Sequence, residues 1–301
     1  MNRKKIWLIL GPALFALSFI PYGGLTQNVR LALGTVLWMG VWWVAMPVPP
    51  AITAFLPVVI NAVFALTDMS SITNCYSAEL VFLLAGADII TMVWEITGVD
   101  KRIAAHSLAL VGTSVRQQVV IWFLISTVLS AVLPNTVVAA VLCSIAMAML
   151  KFVGEGDVEK SGAAKLVLLA IVWGANNGGM FTPLGGAMNL ITVSYIEELM
   201  GAEFLYTDWV RALWPFALAV TVLTLVYLLL LPCKKNTLEG SKTYFSDLCK
   251  NLPKLSRAGR ISLIVFAAAA LLAFTRQLYQ RQFPGLKPGF VFLIGGLLMF
   301  F

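Results

Sequence analysis

Apolar runs of about 20 residues, the length a helix needs to cross a bilayer, recur from one end of the chain to the other. That recurrence limits the fold more than any other feature. Composition agrees: of 301 residues, 60% are hydrophobic and 12% charged, where a soluble globular chain carries about 25% charged residues. The fold class expected is an all-α polytopic membrane protein. The net charge of +7 sits in the loops, where it sets orientation, and does not point to nucleic acid. Cys75, Cys143, Cys233 and Cys249 lack metal-ligand spacing, and His106 is the only histidine, so no metal other than a coupling ion is expected. No cofactor is implied, and no nucleophile–base set suggests an enzyme. The basic start, Met1 to Lys5, leads into a run without a small-residue cleavage site, which reads as a retained first span.

Two of the apolar runs are interrupted by polar residues. In 126–141 the halves meet at Pro134, Asn135 and Thr136. Proline cannot continue a helix hydrogen-bond ladder, while Asn and Thr side chains can bond freed backbone groups or a ligand. A second break, N-N-G-G-M-F-T-P-L-G-G-A-M-N, covers 176–189. Broken backbone at membrane depth survives only where protein buries it or where it lines a wet cavity. Two such breaks point to a carrier whose site lies at discontinuous helices near mid-membrane.

Spans are expected at 6–20, 29–46, 51–66, 80–97 and 212–231, with an amphipathic stretch at 103–112. The arms 117–133 and 137–153 flank the first break, and 165–200 holds the second. Further apolar segments cover 261–274 and 289–301. Basic clusters at Arg3–Lys5, Lys101–Arg116, Lys151–Lys165 and Lys234–Arg260 then fall on one side, which the positive-inside rule makes cytoplasmic. The acidic loop of Glu197, Glu198, Glu203 and Asp208 falls on the other, with Arg30, Arg211, Arg276, Arg281 and Lys287 as exceptions. A cell-membrane protein with a cytoplasmic N-terminus is expected. Arms joined through P-N-T with no true loop favour a re-entrant hairpin. Mid-span, a charge such as Asp88 usually faces a cavity or a partner, which makes it a candidate proton site or else a buried polar contact. The run stops at L-L-M-F-F, inside an apolar segment, and reads as truncated.

The ordered motifs resemble those of the divalent-anion/sodium symporters, carriers of di- and tricarboxylates and sulfate. They are W-W-V-A-M-P-V-P-P-A-I-T-A-F-L-P, E-L-V-F-L-L-A-G-A-D with E-I-T-G-V-D-K-R-I-A, the tip L-S-A-V-L-P-N-T, the loop G-G-M-F-T-P-L-G-G-A-M-N, and L-S-R-A-G-R-I-S-L-I-V-F. The resemblance implies an inverted-repeat transporter, each repeat with a re-entrant hairpin and a broken helix, here cut short in the second repeat. Its parts would be scaffold helices over 1–115, half of a transport domain over 116–232, a basic interfacial segment over 233–260 and the start of the second repeat over 261–301. Its partners would be a small anionic substrate, sodium, the lipid bilayer and a second copy of the chain.

By the same resemblance, Asn135, Thr136, Gly186 and Asn189 bind substrate, while Ser130, Asn135 and Gly185 bind sodium. The expected activity is secondary transport of a divalent anion (dicarboxylate, citrate or sulfate), coupled to sodium, by alternating access. The chain departs from the family at Pro134, which replaces a serine, at Gly186-Ala187-Met188, which replace Thr-Pro-Pro, and at Ala45, where many members are acidic. With Asp88, these departures keep a proton-coupled or sodium-independent exchanger or extruder open. A non-transporting remnant is the reading from another class.

Overall fold

The structure is a computed structural model that describes residues 3–108 and 112–301. Part of the stretch expected to be amphipathic, 109–111, and the first two residues lie outside the described residues. Among the described residues there are sixteen α-helices and no strand. The protein is an all-α polytopic membrane protein. Met69–Thr97, Asn135–Phe152, Tyr206–Leu230 and Arg257–Phe274 are long and apolar enough to cross a bilayer. Large apolar side chains such as Val44, Leu199, Leu223 and Leu230 stand exposed along the helices, a surface that only lipid or another membrane segment can cover.

The chain divides into two compact units, Met1–Ala78 and Glu79–Phe301. The first contains α1 (Arg3–Leu17), α2 (Gln27–Ala45), α3 (Pro50–Thr53), α4 (Leu56–Phe64) and α5 (Met69–Tyr76). Phe15, Leu31 and Ile60 form its core. α1 lies so close to α2 that a Cβ on Gly11 would sit 2.3 Å from the Trp38 ring. The stretch expected as a span over 51–66 is shorter and bent. Pro57, in the first turn of α4, has no N–H for the carbonyl four residues earlier, and the helix turns at Ala54–Phe55.

The second unit contains α6 (Glu79–Thr97), α7 (Val99–Leu108), α8 (Val115–Ser130), α9 (Asn135–Phe152), α10 (Gly162–Gly178), α11 (Ala187–Met200), α12 (Tyr206–Leu230), α13 (Ser241–Lys250), α14 (Arg257–Phe274), α15 (Arg276–Tyr279) and α16 (Pro288–Leu297). Its tightest seam joins α8 and α10. A Cβ on Gly178 would meet the Thr127 carbonyl at 2.1 Å, and Ser126 Oγ donates to the Ile171 carbonyl at 2.6 Å. Only glycine permits two helix backbones to approach this closely, which is the small-residue rule of membrane packing.

Charge separates along this unit. At one end the start of α8 and the end of α9 meet the segment after α12: Val115 N–H donates to Asn236 O at 2.9 Å, Leu238 N–H to Thr113 O at 2.7 Å, and Lys235 pairs with Glu155. Phe245 of α13 packs on Trp122, and Tyr244 on Phe152. At the other end Arg276, almost fully buried, pairs with Glu203 at 2.8 Å and also donates to the Phe283 and Pro284 carbonyls. Lys287 lies 3.4 Å from Glu79 and 3.8 Å from Glu197. Three of the five exceptions to the charge rule, Arg211, Arg276 and Lys287, therefore have acidic partners, Arg211 through Asp208 at 3.9 Å.

Candidate functional site

Two helix breaks meet inside the second unit. α8 ends at Ser130, four residues follow, and α9 begins at Asn135. α10 ends at Gly178 and α11 begins at Ala187, with a single 3-10 turn, Pro183–Gly185, between them. Thr182 Oγ1 donates to the Ala131 carbonyl, which fastens one break to the other. From this level α11 runs on to the end where Glu197 meets Lys287. At 1.5 Å per residue, that leaves about 15 Å of helix beyond the hairpin tip. The hairpin tip meets the second break inside the unit, and both feet return to the same end.

Ser130 is fully buried and its Oγ has no hydrogen-bond partner among the described residues. Serines in membrane helices usually bond back to their own helix, and this one does not. Its carbonyl is also freed, because the residue four positions on is Pro134, which has no N–H. Gly185 closes the space from the other side. A Cβ there would lie 2.5 Å from the Gly179 carbonyl oxygen and 2.7 Å from that of Ser130. The Ser130 hydroxyl and carbonyl, the Gly179 carbonyl and the Gly185 backbone thus form a close cradle rich in hard oxygen atoms. Such groups at unwound helix ends suit an alkali cation.

Asn135 and Thr136 open α9. Pro134 supplies no side-chain cap, and the first N–H groups of a helix have no partner within it. Asn135 is half-buried and Thr136 exposed. Asn135 Nδ2 reaches Asn176 Oδ1 at 3.4 Å. Gly186 is extended, and a Cβ there would approach nothing nearer than Asn189 Nδ2 at 3.9 Å, so its outer side is open. Asn189 donates from Nδ2 to the Gly179 carbonyl at 2.6 Å and to the Thr182 carbonyl at 2.9 Å. It splints the unwound loop. Asp88 is exposed on α6, a helix that supplies none of these groups.

Sequence reasoning left Thr182 and Gly179 out of the site, and left Asn176 open between lining the cavity and satisfying backbone. The T-P pair within the glycine-rich loop was the available signal for Thr182. Nothing in the spacing signals that Gly179 turns its carbonyl toward Asn189. Beside the site, Trp173, Asn176, Asn177, Thr224 and Tyr227 line a recess of about 460 Å³. Within it the buried Asn177 leaves its Nδ2 without a partner among the described residues.

A family model described as citrate transporter matches residues 40–300. The chain belongs to the citrate transporter family. It is similar to the sodium-dependent dicarboxylate transporter SdcS of Staphylococcus saprophyticus, with 26% identity over 290 residues, 93% of this chain and 56% of that protein. It is also similar to SdcS of Staphylococcus aureus strain USA300, with 24% identity over 290 residues and the same shares. The chain therefore spans a little over half the length of these relatives. Members of the divalent-anion/sodium symporter group, as the ordered motifs implied, are what it resembles throughout.

Proposed function

We propose that this chain contributes the first hairpin and broken helix of a sodium-coupled carrier for a dicarboxylate or citrate. The single observation behind this reading is the cradle at Ser130 and Gly185, with its unpartnered buried hydroxyl and a carbonyl freed by Pro134. Sodium fits better than a proton as the coupling ion, because none of Ser130, Asn135, Gly179 or Gly185 titrates. The substrate carboxylate would sit at the open N-termini of α9 and α11, where free N–H groups and the helix dipole favour an anion. Asn135 and Thr136 would orient it, and Gly186 would let it approach the backbone. Asn135 would serve both ion and substrate, which links their binding. Alternating access by the hairpin against a scaffold over 1–115, the pairing of two copies, and a cell-membrane location with the basic end cytoplasmic belong to the same proposal.

The test is uptake of labelled succinate or citrate by the protein in proteoliposomes, with sodium or potassium outside. Sodium-dependent uptake is expected, reduced at least tenfold in Ser130→Ala and unchanged in its pH dependence in Asp88→Asn. Uptake that ignores sodium but follows pH, and loses that dependence in Asp88→Asn, would favour the proton-coupled reading. No uptake of any divalent anion would end the carrier reading.

A further inference from the structure

At the basic end of the second unit, a pocket and a groove meet at one arginine. The pocket, about 180 Å³, is lined by Ser114, Arg116, Lys235 and Asn236 above Leu166 and Leu228. The groove, about 460 Å³, runs beside it along Gln117, Val120, Ile121 and Leu229. Arg116 and Leu229 line both. Among the described residues, no acidic side chain lines either.

The walls are built rather than incidental. Arg116 Nη1 donates to the Leu229 carbonyl in the last turn of α12, which holds the guanidinium at the junction and leaves further donors free. The backbone bonds between Val115 and Asn236 and between Leu238 and Thr113 fix the polar wall against the start of α8. Lys235 carries three donors and uses one on Glu155.

We propose that this site binds an anionic phospholipid, with its head group between Arg116 and Lys235 and an acyl chain along Val120, Ile121 and Leu229. Charge complementarity selects the head group: Arg116 and Lys235 line the site, Glu155 offsets Lys235 from behind and leaves a net positive charge, and basic pockets between membrane helices suit anionic lipids. The groove selects a lipid over a soluble anion, because its floor is apolar and runs along the first turns of α8 and the last turn of α12. A zwitterionic lipid has the same phosphate, but its own cation offsets the attraction. The inference does not depend on what the protein carries.

The experiment is native mass spectrometry of the purified chain released from detergent micelles holding equimolar phosphatidylglycerol and phosphatidylcholine. At the worth of one net basic charge near a surface, phosphatidylglycerol should be retained about fivefold over phosphatidylcholine. The double variant Arg116→Gln, Lys235→Gln should lose that preference while its helical circular dichroism is unchanged. Lys235→Gln alone, in an exposed segment, should lose part of it and serves if the double variant does not fold. Equal retention of the two lipids by the wild type, or a preference that survives in Lys235→Gln and the double variant, overturns the proposal. So does release of bound phosphatidylglycerol by millimolar glycerol 3-phosphate, which would make the site one for a soluble anion.

Discussion

Ser130 is a buried hydroxyl held without a bond, a cost that packing alone does not require. Replacing an unsatisfied polar group by an apolar one of similar shape is close to neutral or stabilising. Ser130→Ala should therefore leave the unfolding midpoint in detergent within about 1 kcal/mol of the wild type, although it is expected to lose sodium-dependent uptake. A structural serine would show the reverse pattern. Gly185 offers the opposite case. A Cβ 2.5 Å from the Gly179 carbonyl oxygen forces one backbone to move, and overpacking of this kind costs about 1–3 kcal/mol. Gly185→Ala should lower both the unfolding midpoint and uptake. Residue types signalled the break itself: Pro134 and the glycines around Thr182 announce where helix must stop. They did not signal how the freed groups are used. Asn189 ends the loop as the family resemblance implies, yet its amide nitrogen is engaged by two carbonyls, a pairing set by the path of the unwound chain and by no local pattern.

Among elements, the hairpin and the segment between α12 and α14 are joined by backbone hydrogen bonds and an ion pair. The sequence marks 233–260 as basic and partly amphipathic, and α13 fits that description. Its docking joins Phe245 to Trp122 of α8 and Tyr244 to Phe152 of α9, contacts between residues far apart in the chain that periodicity cannot show. The ion pair of Lys235 with Glu155 adds a pH dependence. The hydrogen bond from Lys235, with a second from Ser161, holds the Glu155 carboxyl below the ordinary glutamate value. A carboxylate with a depressed pKa contributes stability that is present above its unfolded-state pKa and is lost as pH falls through the folded one. Between pH 7 and about 4, the thermal midpoint of the wild type should fall further than that of Glu155→Gln. The difference should stay within about 1 kcal/mol, because the pair is partly exposed. Equal losses would show that the pair does not hold the segment.

For the whole molecule, the span order puts basic loops on one side, and in the second unit Arg116 and Lys235 lie at one end while Glu79, Glu197 and Glu203 lie at the other. What the span order could not give is the remedy for its exceptions. Arg276 reads as a misplaced cation in the sequence, and in the fold it is almost fully buried against Glu203. Removing one partner of a buried pair leaves the other uncompensated, at about 3–5 kcal/mol. Glu203→Gln should accordingly lower the denaturation midpoint far more than Asp208→Asn, whose partner Arg211 is exposed. Orientation has its own test. In a chain with all four cysteines replaced by serine, an impermeant thiol reagent should label Glu198→Cys from outside intact cells and Lys160→Cys only after permeabilisation. The reverse pattern would invert the assignment of sides.

The bridge between Ser114 and Thr237 has a mechanical consequence. It ties the foot of the hairpin to the connector that feeds α14. A hairpin that rocks would tow that connector with it, so displacement of cargo in one half would reach the following helices as tension in a tether and not through a diffusing signal.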